Sequence, residues 1–170
     1  MDLTGSDESL MLEVKQGSEP AFIALFERYA RPIHGYFRRR MGDPQRAEDL
    51  AQETFLALLK GARRYERRAL FRTYLYAIAM NLLSAERRRA AKDRGSTTDE
   101  PATSADPDAV LWVRRAVEQL DDQQREVLLL REYEQLSYEE IAGLLNVPVN
   151  TVRSRLFRAR MAMKELLVTR

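Results

Sequence analysis

The chain has 170 residues, of which 45% are hydrophobic and 32% are charged, and its net charge at pH 7 is +2. This length and composition suit one domain or two small ones with a highly charged surface. The chain has no cysteine and one histidine, which excludes disulfide bridges, cysteine-ligated zinc and cysteine nucleophiles, so we predict neither a metal site nor a cofactor.

The polar N-terminus does not resemble a signal peptide, and the longest aliphatic run, Val127–Leu130, is far shorter than a membrane span. We therefore expect no membrane insertion. A chain without cysteine also fits the reducing cytoplasm, which is the predicted location.

The helices predicted for the first part of the chain follow its apolar spacing. A short helix around Leu10 to Val14 is expected to stop at Gly17, and Ser18 is expected to cap a second helix. Pro32 is expected to kink or restart that helix. Further helices are predicted at about 44–59 and 70–89, joined by a loop at 61–69 that contains glycine and many arginines.

Residues 93–107 differ from the rest of the chain because they are rich in Gly, Ser, Thr and Pro and show no apolar periodicity. Residues 95–110 contain four acidic and no basic residues, whereas residues 1–94 contain 18 basic and 13 acidic residues. We interpret 93–107 as a flexible acidic linker between domains at 1–92 and 108–170. The alternative, a loop inside one compact domain, is uncommon at this length.

The second part of the chain predicts helices at 122–134, 138–145 and 149–167, after a first helix that begins near residue 108. Ser137 and Glu140 form the sequence of a capping box at the start of the 138–145 helix. The last two helices have the length and spacing of a helix-turn-helix, and the small Ala142 and Gly143 are expected where they cross. The predicted fold is all-α, with two small helical domains and the helix-turn-helix in the second.

The last helix has one apolar face and one face of hydrogen-bond donors. Apolar residues recur from Val152 to Met163 at helical spacing, which leaves polar side chains on the opposite side. Arginine can read guanine in the major groove, and Ser, Thr and Asn can hold phosphates. The predicted duplex-DNA contacts are Asn150, Thr151, Arg153, Ser154, Arg155 and Arg158. The alternative is a basic helix that packs in a bundle.

Segments from both parts of this sequence resemble one protein family. The segment QREVLLLREYEQLSYEEIAGLLNVPVNTVRSRLFRARMAMKELL (124–167) is similar to the C-terminal domain of extracytoplasmic-function (ECF) sigma factors, and GDPQRAEDLAQETFLALL (42–59) and FRTYLYAIAMNLLSAERRR (71–89) are similar to their N-terminal domain. The resemblance implies a factor that binds core RNA polymerase through the β′ clamp and β flap, directs it to promoter DNA and promotes DNA opening. It also implies that the C-terminal domain reads the −35 element and that an anti-sigma factor is a partner.

One face of the 44–59 helix lies opposite its apolar stripe. Asp49, Gln52, Glu53 and Leu56 recur there at helical spacing, which is also typical of an ordinary solvated face. The resemblance implies that these four residues dock on the β′ clamp of the polymerase.

Arginines and aromatic residues alternate in the loop at 61–69 and in the helix that follows it. Cations can follow phosphates, and rings can stack on unpaired bases. The resemblance implies that this surface binds the opened −10 strand, although Phe71 and one tyrosine are equally suited to the core. The assigned residues are Arg63, Arg64, Tyr65, Arg67, Arg68, Arg72, Tyr74, Asn81, Arg88 and Arg89. Many relatives have tryptophan in place of Tyr74 and aspartate in place of Ala85, which puts a local ion pair to Arg88 or Arg89 in doubt.

Two other classes of protein are alternatives to this interpretation. A stand-alone helix-turn-helix regulator would share the predicted DNA-binding helix but would need no polymerase-binding face. A nucleic-acid enzyme would need convergent carboxylates for metal, or a nucleophile with a base, and the sequence predicts no such set. We therefore predict a protein that is not an enzyme.

Overall fold

The computed structural model describes residues 5–94 and 109–168. These residues belong to two compact units, Met1–Thr103 and Ser104–Arg170, which we call the N-terminal and C-terminal units. Each regular element in the described ranges is a helix, which confirms the all-α fold class.

In residues 5–94, the N-terminal unit contains four α-helices and one short 3₁₀ helix. They are α1 (Asp7–Lys15), α2 (Glu19–Arg38), α3 (Pro44–Gly61), the 3₁₀ helix Ala62–Arg64 and α4 (Phe71–Arg94). The side chains of Ser6, Ser18 and Asp43 accept hydrogen bonds from backbone N–H groups at the starts of α1, α2 and α3. Gly17 has a φ of 94°, a backbone conformation that glycine adopts readily and that separates α1 from α2.

Helix α2 continues through Pro32, so the expectation that this proline restarts the helix is wrong. Proline has no N–H, and the bond to the carbonyl of Arg28 is therefore missing. The helix continues because Ile33, Tyr36 and Phe37, which follow the proline, are fully buried. Burial of three large side chains outweighs the loss of one hydrogen bond.

Helix α2 packs against α1 and α3, and α4 packs against α3 and α1. The core between these helices is largely apolar, and the buried hydroxyl of Thr54 donates to the carbonyl of Leu50 at 2.8 Å. Its large, fully buried side chains are Leu10, Met11, Leu25, Ile33, Tyr36, Phe37, Leu50, Leu58, Tyr65, Phe71 and Leu75.

Helix α4 extends five residues beyond the predicted end at residue 89. Arginine, alanine and lysine in 87–92 are good helix formers, which accounts for the extension. Asp93 and Arg94, placed in the predicted linker 93–107, therefore belong to α4. The remainder of the predicted linker lies outside the described residues.

The C-terminal unit contains four helices. They are α5 (Ala109–Glu118), α6 (Asp122–Glu132), α7 (Tyr138–Leu145) and α8 (Val149–Val168). The predicted capping box is present: Glu140 N–H donates to the Ser137 hydroxyl at 3.1 Å, and Ser137 N–H donates to the Glu140 carboxylate at 2.7 Å. Asn146 ends α7 in the left-handed region, with a φ of 53°.

Helix α8 packs against α5, α6 and α7, and the core lies between them. Val152, Leu156 and Ala159 of α8 are buried against this core, together with Ile141 and Ala142 of α7. The expectation that Gly143 lies at the helix crossing is wrong, because a Cβ built on this glycine meets nothing within 4 Å. Gly143 is exposed, and the close approach involves Ala142 alone of the two small residues.

Candidate nucleic-acid and polymerase interfaces

Helix α8 presents a polar stripe to solvent. Asn150, Arg153 and Arg158 are exposed, whereas Thr151, Ser154 and Arg155 are half-buried at its edges. Arg153 donates to the side-chain oxygen of Asn150 at 3.4 Å, and the Ser154 hydroxyl donates to the carbonyl of Thr151 at 3.1 Å. Arg153 and Arg158 therefore have the freest access to a groove.

Phe157 lies in the middle of this stripe and is 67% exposed. It falls at i+3 from Ser154 and i+4 from Arg153, and Arg158 follows it. The duplex-DNA contacts predicted from the sequence do not include it. The helical spacing already indicated its position, since the buried set of Val152, Leu156 and Ala159 places Phe157 on the opposite face.

Two arginines hold α8 and α7 against α6. Arg160 of α8 forms a 2.7 Å salt bridge with Glu132 of α6, and this hydrogen-bonded pairing raises the pKa of Arg160. Arg131 of α6 donates to the carbonyl of Leu136 at 2.9 Å and lies over the ring of Tyr138, 5.3 Å from its centroid. Both arginines therefore tie the helix-turn-helix to α6, and Arg160, two turns from Arg153, lies on the exposed side of α8.

The loop between α3 and α4 exposes a group of arginines. Arg63, Arg64, Arg67 and Arg68 are exposed, and Arg68 forms a salt bridge with Glu66. Arg72, in the first turn of α4, is half-buried. Five cations are thus grouped at the N-terminal end of α4, where the helix dipole also favours anions.

Tyr65 does not belong to this exposed surface, and its assignment as a stacking ring is corrected. Its side chain is 2% exposed, and burial raises the pKa of its hydroxyl. The ring packs edge-on against Tyr74, with centroids 5.1 Å apart. An aromatic ring has a large apolar area, and burying that area in the core stabilises the fold more than leaving it in contact with water. Tyr74 is half-buried and lies above it.

The remaining members of the predicted strand-binding set lie along α4. Tyr74, Asn81 and Arg88 are spaced by seven residues and share one face of the helix over about 20 Å. Asn81, Arg88 and Arg89 are exposed. Arg89 donates a 3.4 Å hydrogen bond to the carboxylate of Glu86. Glu86, which follows Ala85, therefore provides an ion pair for Arg89 although position 85 has no acid.

The predicted polymerase-binding face of α3 is exposed in part. Leu56 is 54% exposed, Gln52 is exposed, and Asp49 and Glu53 are half-buried. Leu59, one turn beyond Leu56, is also exposed. The four assigned residues therefore lie on a single accessible face.

The two acids of this face have an internal counter-ion that the sequence prediction missed. One nitrogen of Arg46 lies 2.9 Å from a Glu53 oxygen and 3.9 Å from an Asp49 oxygen. Arg46 also forms two 2.8 Å hydrogen bonds with the carboxylate of Glu86 on α4. These bonds raise the pKa of Arg46 and lower the pKa of Glu86. The contact between Arg46 and Glu53 could have been predicted, because their spacing puts them on one face of the same helix. The contact between Arg46 and Glu86 could not, because 40 residues separate them in the chain.

Aromatic residues extend the apolar area beside α3. Phe26 of α2 packs edge-on against Phe55 of α3, with centroids 4.8 Å apart, and Phe26 remains exposed. Ile23 of α2 is exposed as well. The α2 and α3 helices therefore present apolar side chains next to the acidic face.

Among residues 5–94 and 109–168, no group of three or more acidic or histidine side chains is placed to hold a metal ion. Within the same ranges, no helix has the length and hydropathy required to cross a bilayer.

Comparison with protein-family models gives two matches in chain order. Residues 25–93 match the model described as Sigma-70 region 2, and residues 111–163 match the model described as Sigma-70, region 4. Helix α1 precedes the first match.

Individual proteins match over nearly the whole chain. The RNA polymerase sigma-H factor of Pseudomonas aeruginosa is 34% identical, with 95% of this chain and 93% of that protein aligned. The ECF RNA polymerase sigma-E factor of Salmonella typhimurium is 32% identical, with coverage of 93% and 92%. The solved structure of CnrH in complex with the cytosolic domain of CnrY matches with a TM-score of 0.76 and 25% identity, covering 96% of this chain and 97% of that one.

Proposed function

The chain belongs to the ECF family of RNA polymerase sigma factors, and from this premise we propose which of its surfaces bind the polymerase, the −35 element and the opened −10 strand. It directs RNA polymerase to promoters. We assign residues 108–170 to the −35 element, and residues 1–92 to the polymerase clamp and the −10 element. The observation that supports the assignment best is the exposed polar stripe of α8, within the segment that matches region 4.

Helix α8 is suited to the major groove at the −35 element. Arg153 and Arg158 can each bind guanine through two hydrogen bonds, and Asn150 can read adenine or hold a phosphate. Phe157 can contact the methyl group of thymine, since its ring is largely exposed between those donors. Thr151, Ser154 and Arg155 lie at the edges of the helix, where phosphates pass.

The arginine loop and one face of α4 are suited to the opened −10 strand. The exposed arginines of the loop attract phosphates, and the half-buried ring of Tyr74 can stack on a base. Asn81 and Arg88 continue the same face of α4, with Arg89 beside them. Binding the separated strand more tightly than the duplex shifts the equilibrium towards open DNA.

The face Asp49, Gln52, Glu53 and Leu56 is suited to the β′ clamp, and the C-terminal unit to the β flap. Basic clamp residues would compete with Arg46 for Glu53, and exposed Leu56 would add apolar contact area. Bond formation belongs to the polymerase in this proposal, so the chain itself is not an enzyme. It acts in the cytoplasm, where the polymerase and promoters are found.

An anti-sigma factor is a further proposed partner. The family resemblance implies one, and the solved structure of CnrH holds the cytosolic domain of CnrY. The exposed apolar residues Ile23, Phe26, Leu56 and Leu59 provide area that such a protein could cover.

Run-off transcription with core polymerase on a promoter library tests the proposed function. Addition of the chain should produce specific transcripts, and the double variant Asp49→Ala, Glu53→Ala should lower polymerase affinity by about tenfold, as expected when two charged interface groups are lost. Glu48→Ala is the matched control, because Glu48 is an exposed acid of α3 outside the face. A stand-alone regulator would instead bind its DNA site equally well without polymerase, and specific initiation would be absent.

A further inference from the structure

We propose that α1, which lies outside the region 2 match, positions the −10 strand-binding loop through Glu8 and Lys15. This loop comprises residues 65–70, between the 3₁₀ helix and Phe71, the first residue of α4. The inference rests on the proposed function of this loop and adds two positioning residues that hold it from a separate helix.

Helix α4 has no capping residue in its own sequence. The four residues before it are Arg67, Arg68, Ala69 and Leu70, and none of them has a side-chain oxygen that could accept from the first N–H groups of the helix. The cap is supplied from α1, since the carboxylate of Glu8 accepts a 2.9 Å hydrogen bond from the N–H of Phe71. A carboxylate at this position is favourable because it also faces the positive end of the helix dipole.

The other end of the loop is held by the same helix. The ammonium group of Lys15 donates to the carbonyl of Tyr65 at 2.8 Å. Glu8 and Lys15 are separated by two turns of α1, so they lie on one face about 10 Å apart. Helix α1 therefore fixes both ends of the loop at once.

Helix α1 is itself fixed in place. Leu10, Met11 and Val14 are buried. Asp7 forms a 2.6 Å salt bridge with Arg28 and accepts a hydrogen bond from the Tyr29 hydroxyl.

The ring of Tyr29 in turn packs against Phe71, with centroids 5.4 Å apart. Phe71 is thus held by its N–H, which Glu8 binds, and by its ring. The first contact comes from α1 itself, and the second comes from Tyr29 of α2, which Asp7 of α1 holds in place.

A loop held at both ends can present its arginines without first becoming ordered. Arg67 and Arg68 of the loop, and Arg63 and Arg64 of the 3₁₀ helix before it, are exposed and carry like charges, so without these contacts the loop would spread over many conformations. Fixing it before the strand arrives lowers the entropic cost of binding. Loss of the contacts should therefore weaken strand binding while leaving the other two interfaces intact.

The test uses holoenzyme reconstituted with the full chain and a single-stranded oligonucleotide carrying the −10 element. Glu8→Ala should weaken oligonucleotide binding by about threefold to tenfold, because strand binding would then have to supply the stability that the helix cap contributes. Glu8→Gln retains an acceptor oxygen and should recover part of that loss. Glu13→Ala is the matched control, because Glu13 is an exposed acid of the same helix. Affinity for core polymerase and for a −35 duplex should stay at the wild-type value in each variant.

Lys15→Met gives an independent test at the other end of the loop and should also weaken oligonucleotide binding by about threefold. It remains informative if Glu8→Ala does not fold. An abasic site scanned along the oligonucleotide separates positioning from general destabilisation. If Glu8 positions the loop, its effect should shrink at the position where the loop holds a base.

Unchanged oligonucleotide binding by Glu8→Ala and Lys15→Met would overturn the inference. An effect of equal size at every abasic position, or equal losses at all three interfaces, would also overturn it. If wild-type holoenzyme bound the oligonucleotide no better than core polymerase, the proposed strand-binding function itself would be wrong, whatever the variants of Glu8 and Lys15 showed.

Discussion

Two adjacent residues of α8 have opposite environments. Leu156 is 1% exposed and packs in the C-terminal unit, whereas Phe157 is 67% exposed beside Arg153 and Arg158. Both are large and apolar, so residue type alone places both in the core. Tyr65 is the reverse case, since its neighbouring arginines indicated a surface ring and it is buried. Helical position therefore predicts the environments of Leu156 and Phe157, whereas the environment of Tyr65, which lies in a loop, depends on the packing of the helices around it.

We expect Phe157→Ala and Leu156→Ala to separate DNA binding from stability. Leu156→Ala should lower the free energy of unfolding by about 2–4 kcal/mol, because it leaves a cavity in the core. Phe157→Ala should change stability by less than about 0.5 kcal/mol and should weaken binding of holoenzyme to promoter duplex. Urea unfolding and duplex titration measure the two effects. A stability loss for Phe157→Ala equal to that for Leu156→Ala would contradict the assignment of Phe157 to the surface.

The ends of helices could be predicted where the capping residue is adjacent in sequence. Ser18 and Ser137 cap α2 and α7 as expected, because each cap lies within three residues of the N–H that it accepts from. The cap that Glu8 supplies to Phe71 could not be predicted, since 63 residues separate them and the contact exists only after α1 has packed. The bond between Arg46 and Glu86 is of the same kind.

The contact between α3 and α4 should make the N-terminal unit sensitive to acid. Because the pKa of Glu86 is lower in the fold than in the unfolded chain, the ionised carboxylate stabilises the fold above the unfolded-state value of 4.5. That stabilisation is lost as the pH falls through the folded-state pKa. Glu86→Gln should therefore cost about 1–3 kcal/mol at neutral pH, as expected for a hydrogen bond between charged groups.

The difference between Glu86→Gln and wild type should shrink as the pH falls below 4.5. Urea unfolding across this pH range, followed in the N-terminal unit, measures it. Glu48→Gln on the exposed side of α3 is the control and should show little difference at any pH. If the loss of unfolding free energy in Glu86→Gln did not vary with pH, the charge of Glu86 would not contribute to its contact with Arg46, which would contradict the prediction.

For the whole molecule, the sequence predicted the fold class, the order of the helices and the family. These follow from apolar periodicity and from blocks of residues that are continuous in the chain. The division of charge was also visible, with 18 basic and 13 acidic residues in 1–94 and 10 basic and 9 acidic residues in 111–170. The sequence did not predict which of these charged residues form ion pairs with each other, and this pairing determines which of them are available to a partner. Asp49 and Glu53 are the example, because both lie beside Arg46.

Binding of the holoenzyme to promoter duplex should weaken with salt, since phosphate contacts release counter-ions. Replacing Arg153 and Arg158 with glutamine should reduce the slope of log affinity against log salt by about 2 if both arginines neutralise phosphates, and by less if they bind bases. Arg115→Gln, at an exposed site on α5, is the control and should leave the slope unchanged. Equal slopes for the double variant and wild type, with equal affinities, would remove α8 from the DNA interface.

The burial of α1 also bears on where a fragment of this protein should begin. The region 2 match starts at residue 25, inside α2 and after all of α1. A fragment cut there would expose the core positions that Leu10, Met11 and Val14 cover, and it would remove the cap of α4. The segment that folds is therefore longer at its N-terminal end than the segment that the region 2 model matches, and a fragment designed for crystallisation or for partner screening has to include Ser6, which caps α1.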